Sequence, residues 1–406
     1  MNTKIRLTLM NFLQYAVWGA WLISLGAYLG NTLKFDGLQI GSFFATMGIA
    51  SLFMPAVMGI IADRWIPAQR LLGLCHLFAA GFITLAATRT DYNSLYTLVL
   101  LSVMFYMPTI ALSNSVAYNA LEKAGLDTVT HFPPIRVWGT VGFICAMWVV
   151  DLGKMGLSAT QLYFSATLGL ILGLYSFTLP NCPINRSGGG KSIVDLLGLR
   201  AFALFKQRKM AFIFSMLLGM SLQITNAFAD GYIKSFGDTG IHGAKYLGTF
   251  GVEHSTILIS LSQISETLCI LLIPFFLKRF GIKRVMLIAM FAWVLRFALL
   301  GAGNPGPGVW MFILSMIVYG VAFDFFNISG SLFVEKETSA AIRSSAQGVF
   351  MIMTNGLGAL IGSYLAGWVV NHYGWPLSWY LFAGFSLVVA IVFAVIFKYK
   401  HDPNRI

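Results

Sequence analysis

The sequence predicts an all-α polytopic membrane protein with twelve transmembrane helices in two six-helix bundles. Hydrophobic residues make up 57% of the 406-residue chain and charged residues only 10%, whereas soluble domains carry roughly 25% charged residues. Apolar runs of about 20 residues, the length that crosses the hydrocarbon core of a bilayer, recur from one end to the other. The runs lie at 8–31, 39–62, 70–88, 93–119, 132–152, 160–179, 209–235, 254–277, 284–302, 309–334, 344–370 and 376–398.

The first six runs form an N-terminal half, residues 1–180, and the last six form a C-terminal half, residues 209–406. The first run is long and lacks a small-residue cleavage site, so we expect an uncleaved first helix rather than a secretory signal. Residues 181–208 form a polar, Gly-rich and basic linker. Within it, "SIVDLLGLRAFALFK" has apolar residues at helical spacing, which favours a helix lying on the cytoplasmic membrane face.

Lys and Arg are distributed unevenly among the segments that join the runs. With the N-terminus in the cytoplasm, most of them lie in inner segments, and the outer segments hold Lys34, Arg89, Lys154, Lys234 and Lys245. This is the positive-inside pattern of membrane proteins, so we expect both termini in the cytoplasm. The net charge of +12 follows from the same bias, and we infer no nucleic-acid partner from it.

Several charges fall inside apolar runs, where an ionisable side chain is costly and indicates a functional site. Asp324 and Glu266 lie near the middle of their runs, and Arg136 lies one or two turns above the cytoplasmic end of its run. Arg296 and Asp230 are also within runs, Asp230 nearer the outer end.

Hydrogen-bonding and aromatic side chains accompany these charges on four predicted helices. Residues three or four apart share a helix face. The resulting sets are Arg136, Thr140 and Phe143; Gln223 and Asn226; Gln263 and Glu266; Tyr319 and Phe323; and Asp324 and Asn327. A purely structural polar network is one interpretation, but the mixture of amides, acids and rings favours a substrate site at the membrane midplane.

Such a site suits a neutral ligand with a flat ring and several hydroxyl groups. Phe143 or Phe323 offers a ring for stacking, and the amides, Thr140 and Glu266 offer donors and acceptors. The runs hold no cluster of arginines of the kind that binds phosphate. A nucleoside fits this description, and a sugar or an aromatic drug stays open as the alternative.

An enzyme is the competing class of protein. No metal-ligand cluster, Ser–His–Asp set or Cys–His pair stands out, and the six histidines are dispersed, most of them at the ends of runs or in loops. We therefore expect a transporter rather than an enzyme, with no cofactor and no metal.

The segment after the second run, "GIIADRWIPAQR", has a weaker counterpart after the eighth, "FFLKRFGIKR". With six runs in each half, it resembles the loop motif of the major facilitator superfamily, which Gly59, Asp63, Arg64 and Arg70 match. Pro67 stands where that motif usually has glycine, and the second copy lacks the acid. The alternative is that these are cytoplasmic turns that only follow the positive-inside rule. Asp63 and Arg64 lie on a cytoplasmic turn far from the midplane residues, so we predict that they, with Gly59, govern conformational switching rather than substrate recognition.

A more specific resemblance rests on "FPPIRVWGTVGF", "SLQITNAF", "SQISETL", "LSMIVYGVAFDFFNISGS" and "AIRSSAQG". These blocks are similar to the bacterial proton-linked nucleoside symporter family (nucleoside permease G type). The similarity covers nearly all of the chain, although residues 229–251 match poorly. It implies proton-driven uptake of purine and pyrimidine nucleosides across the inner membrane by alternating access, with membrane lipids as surroundings and a monomer as the functional unit. The nucleoside-contacting positions that it implies are Arg136, Thr140, Phe143, Gln223, Asn226, Gln263, Glu266, Tyr319, Phe323 and Asp324.

The charges support proton coupling independently, because Arg136, Glu266 and Asp324 cannot pair one to one. If Arg136 neutralises one acid, the other is desolvated and is favoured in its protonated form. We predict that Arg136 pairs with Glu266 or Asp324 in the empty site; the alternative is that it points to the headgroups. A proton entering gains roughly 2.3 kcal/mol per 100 mV, which allows about fifty-fold accumulation of a neutral solute.

Overall fold

The computed structural model describes residues 2–182, 184, 202–242, 244–337 and 349–397, and every regular element in these ranges is a helix. We number the α-helices and the π-helices separately, in chain order. They are α1 (Thr3–Gly19), α2 (Leu25–Ala27), π1 (Tyr28–Thr32), α3 (Gly37–Arg64), α4 (Ala68–Ala87), α5 (Tyr92–Lys123), α6 (Thr128–Leu152), α7 (Thr160–Ser176), α8 (Phe202–Ser235), α9 (Thr239–His242), α10 (Phe250–Glu253), α11 (Ser255–Ala302), α12 (Val309–Glu337), π2 (Ile352–Gly358), α13 (Ala359–Tyr373) and α14 (Leu377–Ile396).

The helices confirm the predicted all-α class, since each of the twelve predicted runs overlaps at least one of them. In the described ranges, eight helices are long and apolar enough to cross a membrane. One of these, α11, has 48 residues and covers the eighth and ninth predicted runs. Its path breaks at Gly281, which lies between the two runs. The φ of Gly281 is +76°, a conformation that residues with a Cβ rarely adopt. We call residues 255–280 the first arm of α11 and residues 282–302 its second arm.

Two predicted runs are less regular than the apolar pattern indicates. In the first run α1 ends at Gly19, and a short helix and π1 follow it. In the eleventh run π2 precedes α13. Single π-helical segments inside α-helices often occur at functional sites, and apolar periodicity does not distinguish them from α-helix.

The chain divides into two compact units. The first comprises Met1–Phe35 and Thr46–Leu196, and the second comprises Asp36–Ala45 and Leu197–Ile406. The beginning of α3 therefore belongs to the second unit and its remainder to the first.

The predicted linker, residues 181–208, lies mostly outside the described residues. Its last residues, 202–208, form the start of α8 and continue directly into the seventh predicted run. Most of the predicted interfacial helix also lies outside the described residues.

In the first unit, α1 packs against α5, α6 and α7, and α4 packs against α5 and α7. The apolar core between them includes Leu7, Leu72, Val116, Leu121 and Leu172, all fully buried. This core positions α6, the helix that carries the candidate residues of the first unit.

In the second unit, α11 packs along α12 and α14, and α8 packs against π2 and α13. A β-carbon on Gly320 of α12 would lie 2.5 Å from the carbonyl oxygen of Ser265 on the first arm of α11. A residue larger than glycine would therefore push these two helices apart. Their close contact brings the candidate residues of α11 and α12 together.

An aromatic core supports the same helices. Trp293 and Phe297 of the second arm stack with centroids 5.4 Å apart, and Phe297 stacks on Trp379 of α14 at 6.0 Å. Trp293 also meets Tyr319 of α12 edge-on, at 6.0 Å and 89°. The ring of Tyr319 is thus held from one side by packed aromatic residues.

Candidate functional site

Tyr319 and Phe323 form a flat aromatic surface on α12. Their centroids are 5.6 Å apart and their planes differ by 7°, the arrangement expected of rings four residues apart on one helix face. Tyr319 is buried, whereas Phe323 is half-buried and remains open on one side. The Gln263 side chain lies near the Tyr319 hydroxyl, so an amide borders the rings.

Two acids lie beside these rings. Asp324 is only 4% exposed, and within the described residues its Oδ2 has no hydrogen-bond partner. Glu266 on α11 is half-buried, and its charge interacts with that of Asp324 and with Tyr319. A carboxylate that is desolvated next to another acid is suited to bind and release a proton.

Helix α8 contributes two amides to the second unit. Gln223 is buried, and its Oε1 has no partner among the residues that the structure describes. Asn226 lies nearly one turn further along and is half-buried. A buried amide oxygen without a donor is costly, so a bound ligand that donates a hydrogen bond to Gln223 would stabilise this state.

A small cleft adjoins Phe323 on the side of π2. Its lining includes Asn327 of α12 and Thr354 and Asn355 of π2, and its volume is about 10 Å³. That is space for about one water molecule. Asn327, which the sequence places in one row with Asp324, therefore borders this cleft.

In the first unit, α6 positions Arg136, Thr140 and Phe143. The guanidinium carbon of Arg136 lies 3.9 Å from the ring centroid of Tyr15 on α1, within the range of a cation–π contact. Phe143 is buried and meets Trp18 of α1 edge-on, at 6.4 Å and 87°. The predicted pairing of Arg136 with Glu266 or Asp324 stays a prediction.

The sequence reasoning missed a neutral polar network in the first unit. Gln14 of α1 donates from Nε2 to Oγ1 of Thr109 at 2.7 Å, and its Oε1 lies 2.8 Å from Nε2 of His76. The hydroxyl of Tyr106 donates to the backbone carbonyl oxygen of Gln14 at 2.7 Å. The sequence signal was the presence of Gln14, His76 and Thr109 inside apolar runs, and His76 is fully buried in α4.

Asp230, the acid whose role the sequence left open, has a local partner. Its Oδ2 lies 2.7 Å from Nζ of Lys234, one turn further along α8. Its Oδ1 accepts hydrogen bonds from the hydroxyls of Ser255 at 2.5 Å and Thr256 at 3.1 Å. The charge of Asp230 is therefore neutralised within the pair, and the side chain ties α8 to the start of α11.

The residues predicted to govern switching lie at the end of α3 rather than in the following turn, because the helix continues to Arg64. Arg64 is exposed. An added β-carbon on Gly59 would meet nothing within 4 Å. The side chain of Asp63 lies outside the described part of the structure.

The described residues contain no group of three His, Cys, Asp or Glu that could hold a metal ion. The arrangement supplies rings, amides and protonatable acids, which suit recognition and proton binding.

Comparison with known proteins gives consistent results. The family profile described as nucleoside H+ symporter matches residues 1–402. The nucleoside permease NupG of Escherichia coli (strain K12) is 50% identical over 410 residues, which cover 99% of this chain and 97% of the relative. The xanthosine permease of the same organism is 49% identical over 415 residues, which cover 100% of this chain and 98% of the relative.

A solved crystal structure agrees with these relatives. The crystal structure of the nucleoside transporter NupG superposes on this chain with a TM-score of 0.92 and 50% sequence identity. The match covers 98% of this chain and 100% of that one. The relatives are transporters rather than enzymes, and the resemblance seen in the motifs is confirmed. The chain is a multi-pass membrane transporter that belongs to the nucleoside H+ symporter family.

Proposed function

We propose that this transporter imports purine and pyrimidine nucleosides together with protons, by alternating access, across the bacterial inner membrane. The observation that carries the proposal is the pair of parallel rings, Tyr319 and Phe323, beside the acids Glu266 and Asp324. An aromatic surface suits a base, and a desolvated acid suits a proton.

The substrate contacts follow from the chemistry of each side chain. Phe323 and Phe143 offer rings to the base, and the polar groups offer donors and acceptors to the base and the ribose hydroxyls. The proposed nucleoside-contacting residues are Arg136, Thr140 and Phe143 in the first unit, and Gln223, Asn226, Gln263, Glu266, Tyr319, Phe323 and Asp324 in the second.

Proton coupling is assigned to Asp324 and Glu266, with Arg136 helping to deprotonate one of them in the empty site. Asp324 is the better candidate for the proton, because it is more buried than Glu266 and one of its oxygens has no partner in the described structure. A buried carboxylate binds a proton more readily than an exposed one.

Switching is assigned to Gly59, Asp63 and Arg64 at the cytoplasmic end of α3. This assignment goes with a topology in which both termini and the linker 181–208 lie in the cytoplasm, as the Lys and Arg distribution favours. We also propose that residues 1–180 and 209–406 act as the two halves of the transport cycle, and that a monomer suffices.

Uptake into proteoliposomes tests the proposal. Labelled uridine and adenosine should accumulate when an inward pH gradient is imposed, and should only equilibrate without one. Because one relative is a xanthosine permease, labelled xanthosine belongs in the same panel. Uptake that ignores the pH gradient would contradict proton coupling.

A sugar or an aromatic drug, the alternative left open by the residue chemistry, is tested by competition. Excess unlabelled sugar or drug should leave uridine uptake unchanged, whereas excess inosine should suppress it. Suppression by a sugar alone would favour the alternative.

A further inference from the structure

Tyr15 is a buried aromatic residue that the proposed function does not use. It lies on α1 and is 8% exposed. Its ring faces the guanidinium of Arg136 on α6, with 3.9 Å between the guanidinium carbon and the ring centroid. At this distance the electron-rich face of the ring attracts the cation. Because the ring itself is neutral, the contact places the guanidinium without cancelling its charge.

Gly139 leaves the space in which this contact forms. It is buried and lies nearly one turn beyond Arg136 on α6. A β-carbon on Gly139 would lie 2.6 Å from Cδ2 of Tyr15 and 2.8 Å from Nη1 of Arg136. A larger residue would therefore displace the ring, the guanidinium or both. Glycine permits the close approach that this position requires.

The helix that carries Tyr15 is fixed to the rest of the first unit at the preceding residue. The amide of Gln14 is bonded to α4 and α5, and its backbone carbonyl oxygen accepts from the hydroxyl of Tyr106 at 2.7 Å. Tyr106 also lies within electrostatic reach of Tyr15 and Arg136. The neutral network thus holds α1 in place beside α6, and the ring of Tyr15 with it.

We propose that Tyr15 is the positioning residue of Arg136, so that the guanidinium enters the substrate site with its orientation already set. A long side chain loses rotamer freedom when it binds a ligand, and one that already rests on a ring loses less. The charge of Arg136 stays available to the nucleoside, or to the acid with which it pairs in the empty site. This inference rests on the proposed function, in which Arg136 contacts the nucleoside.

Three substitutions separate the ring from the packing of α1. Tyr15→Phe keeps the ring and removes only the hydroxyl, whereas Tyr15→Leu removes the ring and keeps an apolar side chain. Arg136→Gln removes the charge and keeps a long polar side chain, so it shows whether the ring acts through the guanidinium.

Uridine affinity, measured by calorimetric titration of the full chain in detergent, is the first readout. Tyr15→Leu should weaken binding about tenfold, which corresponds to about 1.4 kcal/mol and lies within the range of a cation–π contact. Tyr15→Phe should bind uridine as the wild type does, because the ring remains. In the Arg136→Gln background, Tyr15→Leu should weaken binding no further, because the ring then has no guanidinium to position.

Trp18→Leu is the matched control for this pair of backgrounds. Trp18 lies nearly one turn beyond Tyr15 on α1 and packs edge-on against Phe143 of α6. Substitutions at sites that do not interact have additive effects, so Trp18→Leu should change the uridine affinity by the same factor with and without Arg136→Gln.

Two glycines of α6 provide a second, independent comparison. An added β-carbon on Gly139 meets the side chains of Tyr15 and Arg136, whereas one on Gly142 would meet the backbone carbonyl of Phe12 on α1. Gly139→Ala should therefore weaken uridine binding with a small loss in melting temperature. Gly142→Ala should lower the melting temperature more, because it pushes the two helices apart. Wild-type affinity in Gly139→Ala would contradict the proposal.

Thermal unfolding tests the contact without any nucleoside. The wild type, Tyr15→Leu, Arg136→Gln and the double variant form a double-mutant cycle. The double variant should be more stable than the sum of the two single losses predicts, because both substitutions remove the same contact. Additive losses would show that the ring does not hold the guanidinium. Equal damage by Tyr15→Phe and Tyr15→Leu would also overturn the proposal, because it would assign the effect to the hydroxyl.

The two readouts separate this inference from the proposed function. If the wild type binds no nucleoside, the proposed function fails, and the unfolding cycle still decides whether Tyr15 holds Arg136. If the wild type binds uridine and Tyr15→Leu either leaves the affinity unchanged or weakens it equally in both backgrounds, the inference alone fails. A Tyr15→Leu chain that does not fold leaves Gly139→Ala to decide, through its uridine affinity.

Discussion

In the first unit, Gln14, Thr109 and His76 form a buried cluster of neutral side chains that are bonded to one another. In the second unit, the buried side chains beside the aromatic rings include the charged Asp324 and Arg296. Gln14 uses both atoms of its amide, one toward Thr109 and one toward His76. In the second unit, Asp324 keeps an oxygen without a partner within the described residues, and Arg296 contacts neutral groups.

The difference separates two uses of polarity inside a membrane protein. A neutral, internally bonded network stabilises the packing of α1, α4 and α5 and carries no charge that a ligand would have to balance. A charged, incompletely satisfied set responds to protons and ligands, because its balance depends on what is bound.

The largest effect is expected at the charged set. Asp324→Asn should abolish accumulation, so that the uridine ratio falls from about fifty-fold at roughly 100 mV to about one. Exchange of uridine across the same membrane should persist, because asparagine keeps an amide oxygen at this position and the other substrate contacts remain. Paired measurements of accumulation and exchange in proteoliposomes check this.

Asp230→Asn is the matched control, because Asp230 is equally buried in the same unit but is neutralised by Lys234. It should lower thermal stability by leaving Lys234 unpaired, yet uptake should still follow the pH gradient. Normal accumulation by Asp324→Asn would exclude this carboxylate as an essential coupling group.

Helix positions and helix faces were predictable because they depend on short sequence spacing. The parallel rings of Tyr319 and Phe323 are an example, since a separation of four residues places them on one face. The link between α1 and α4 was not predictable, because Gln14 and His76 are 62 residues apart and meet only through packing.

The contacts of Arg296 in the second unit were also not predictable from the sequence. Its presence inside an apolar run was visible in the sequence, but its contact with Tyr319 depends on how α11 packs against α12. The break at Gly281 falls where the sequence predicts an interruption between the eighth and ninth runs. The continuation of helix on both sides up to Gly281 was not predictable, because the basic residues around it are typical of an ordinary cytoplasmic loop.

The second largest effect concerns the aromatic rings, and it should differ between the units. Phe323→Ala removes a half-buried ring, and stacking on a base is worth roughly 1–3 kcal/mol, or about 5–150-fold in affinity. Phe143 is buried edge-on against Trp18, so Phe143→Ala should weaken uridine binding less and lower stability more. Calorimetric titration with uridine measures the affinities.

Phe291→Ala is the control for this pair, because that ring is 49% exposed on the second arm of α11. It should leave the uridine affinity unchanged. Unchanged affinity in Phe323→Ala as well would show that the stacked rings only pack.

The neutral network should give a stability effect that is separate from the pH gradient across the membrane. His76→Leu leaves Oε1 of Gln14 without its donor, which costs about 1–3 kcal/mol. The loss in melting temperature should be full from neutral to alkaline buffer and smaller in acid, because a histidine that is buried in its neutral form takes up a proton on unfolding, which already destabilises the wild type there. Accumulation should keep its normal dependence on the pH gradient. His76→Gln retains a donor and should lose less; accumulation that no longer follows the pH gradient in His76→Leu would place a coupling role in the first unit.

The smallest effect on the fold is expected at Gly59, where an added β-carbon meets nothing within 4 Å. Gly59→Ala should therefore fold with unchanged stability, or gain slightly because alanine favours helix by about 1 kcal/mol over glycine. Its uridine affinity should equal that of the wild type. Only the maximal rate of uptake should fall, since the proposed switching role of Gly59 requires conformations of the transport cycle in which this helix end has less space.

Gly320→Ala provides the contrast for this last test. Its β-carbon would lie 2.5 Å from the Ser265 carbonyl oxygen, so it should lower stability and affinity together by separating α11 from α12. A Gly59→Ala transporter with a normal maximal rate would mean that no conformation of the cycle requires glycine there. Switching would then depend on the charges of Asp63 and Arg64, and Asp63→Asn should slow uptake at unchanged affinity where Gly59→Ala does not.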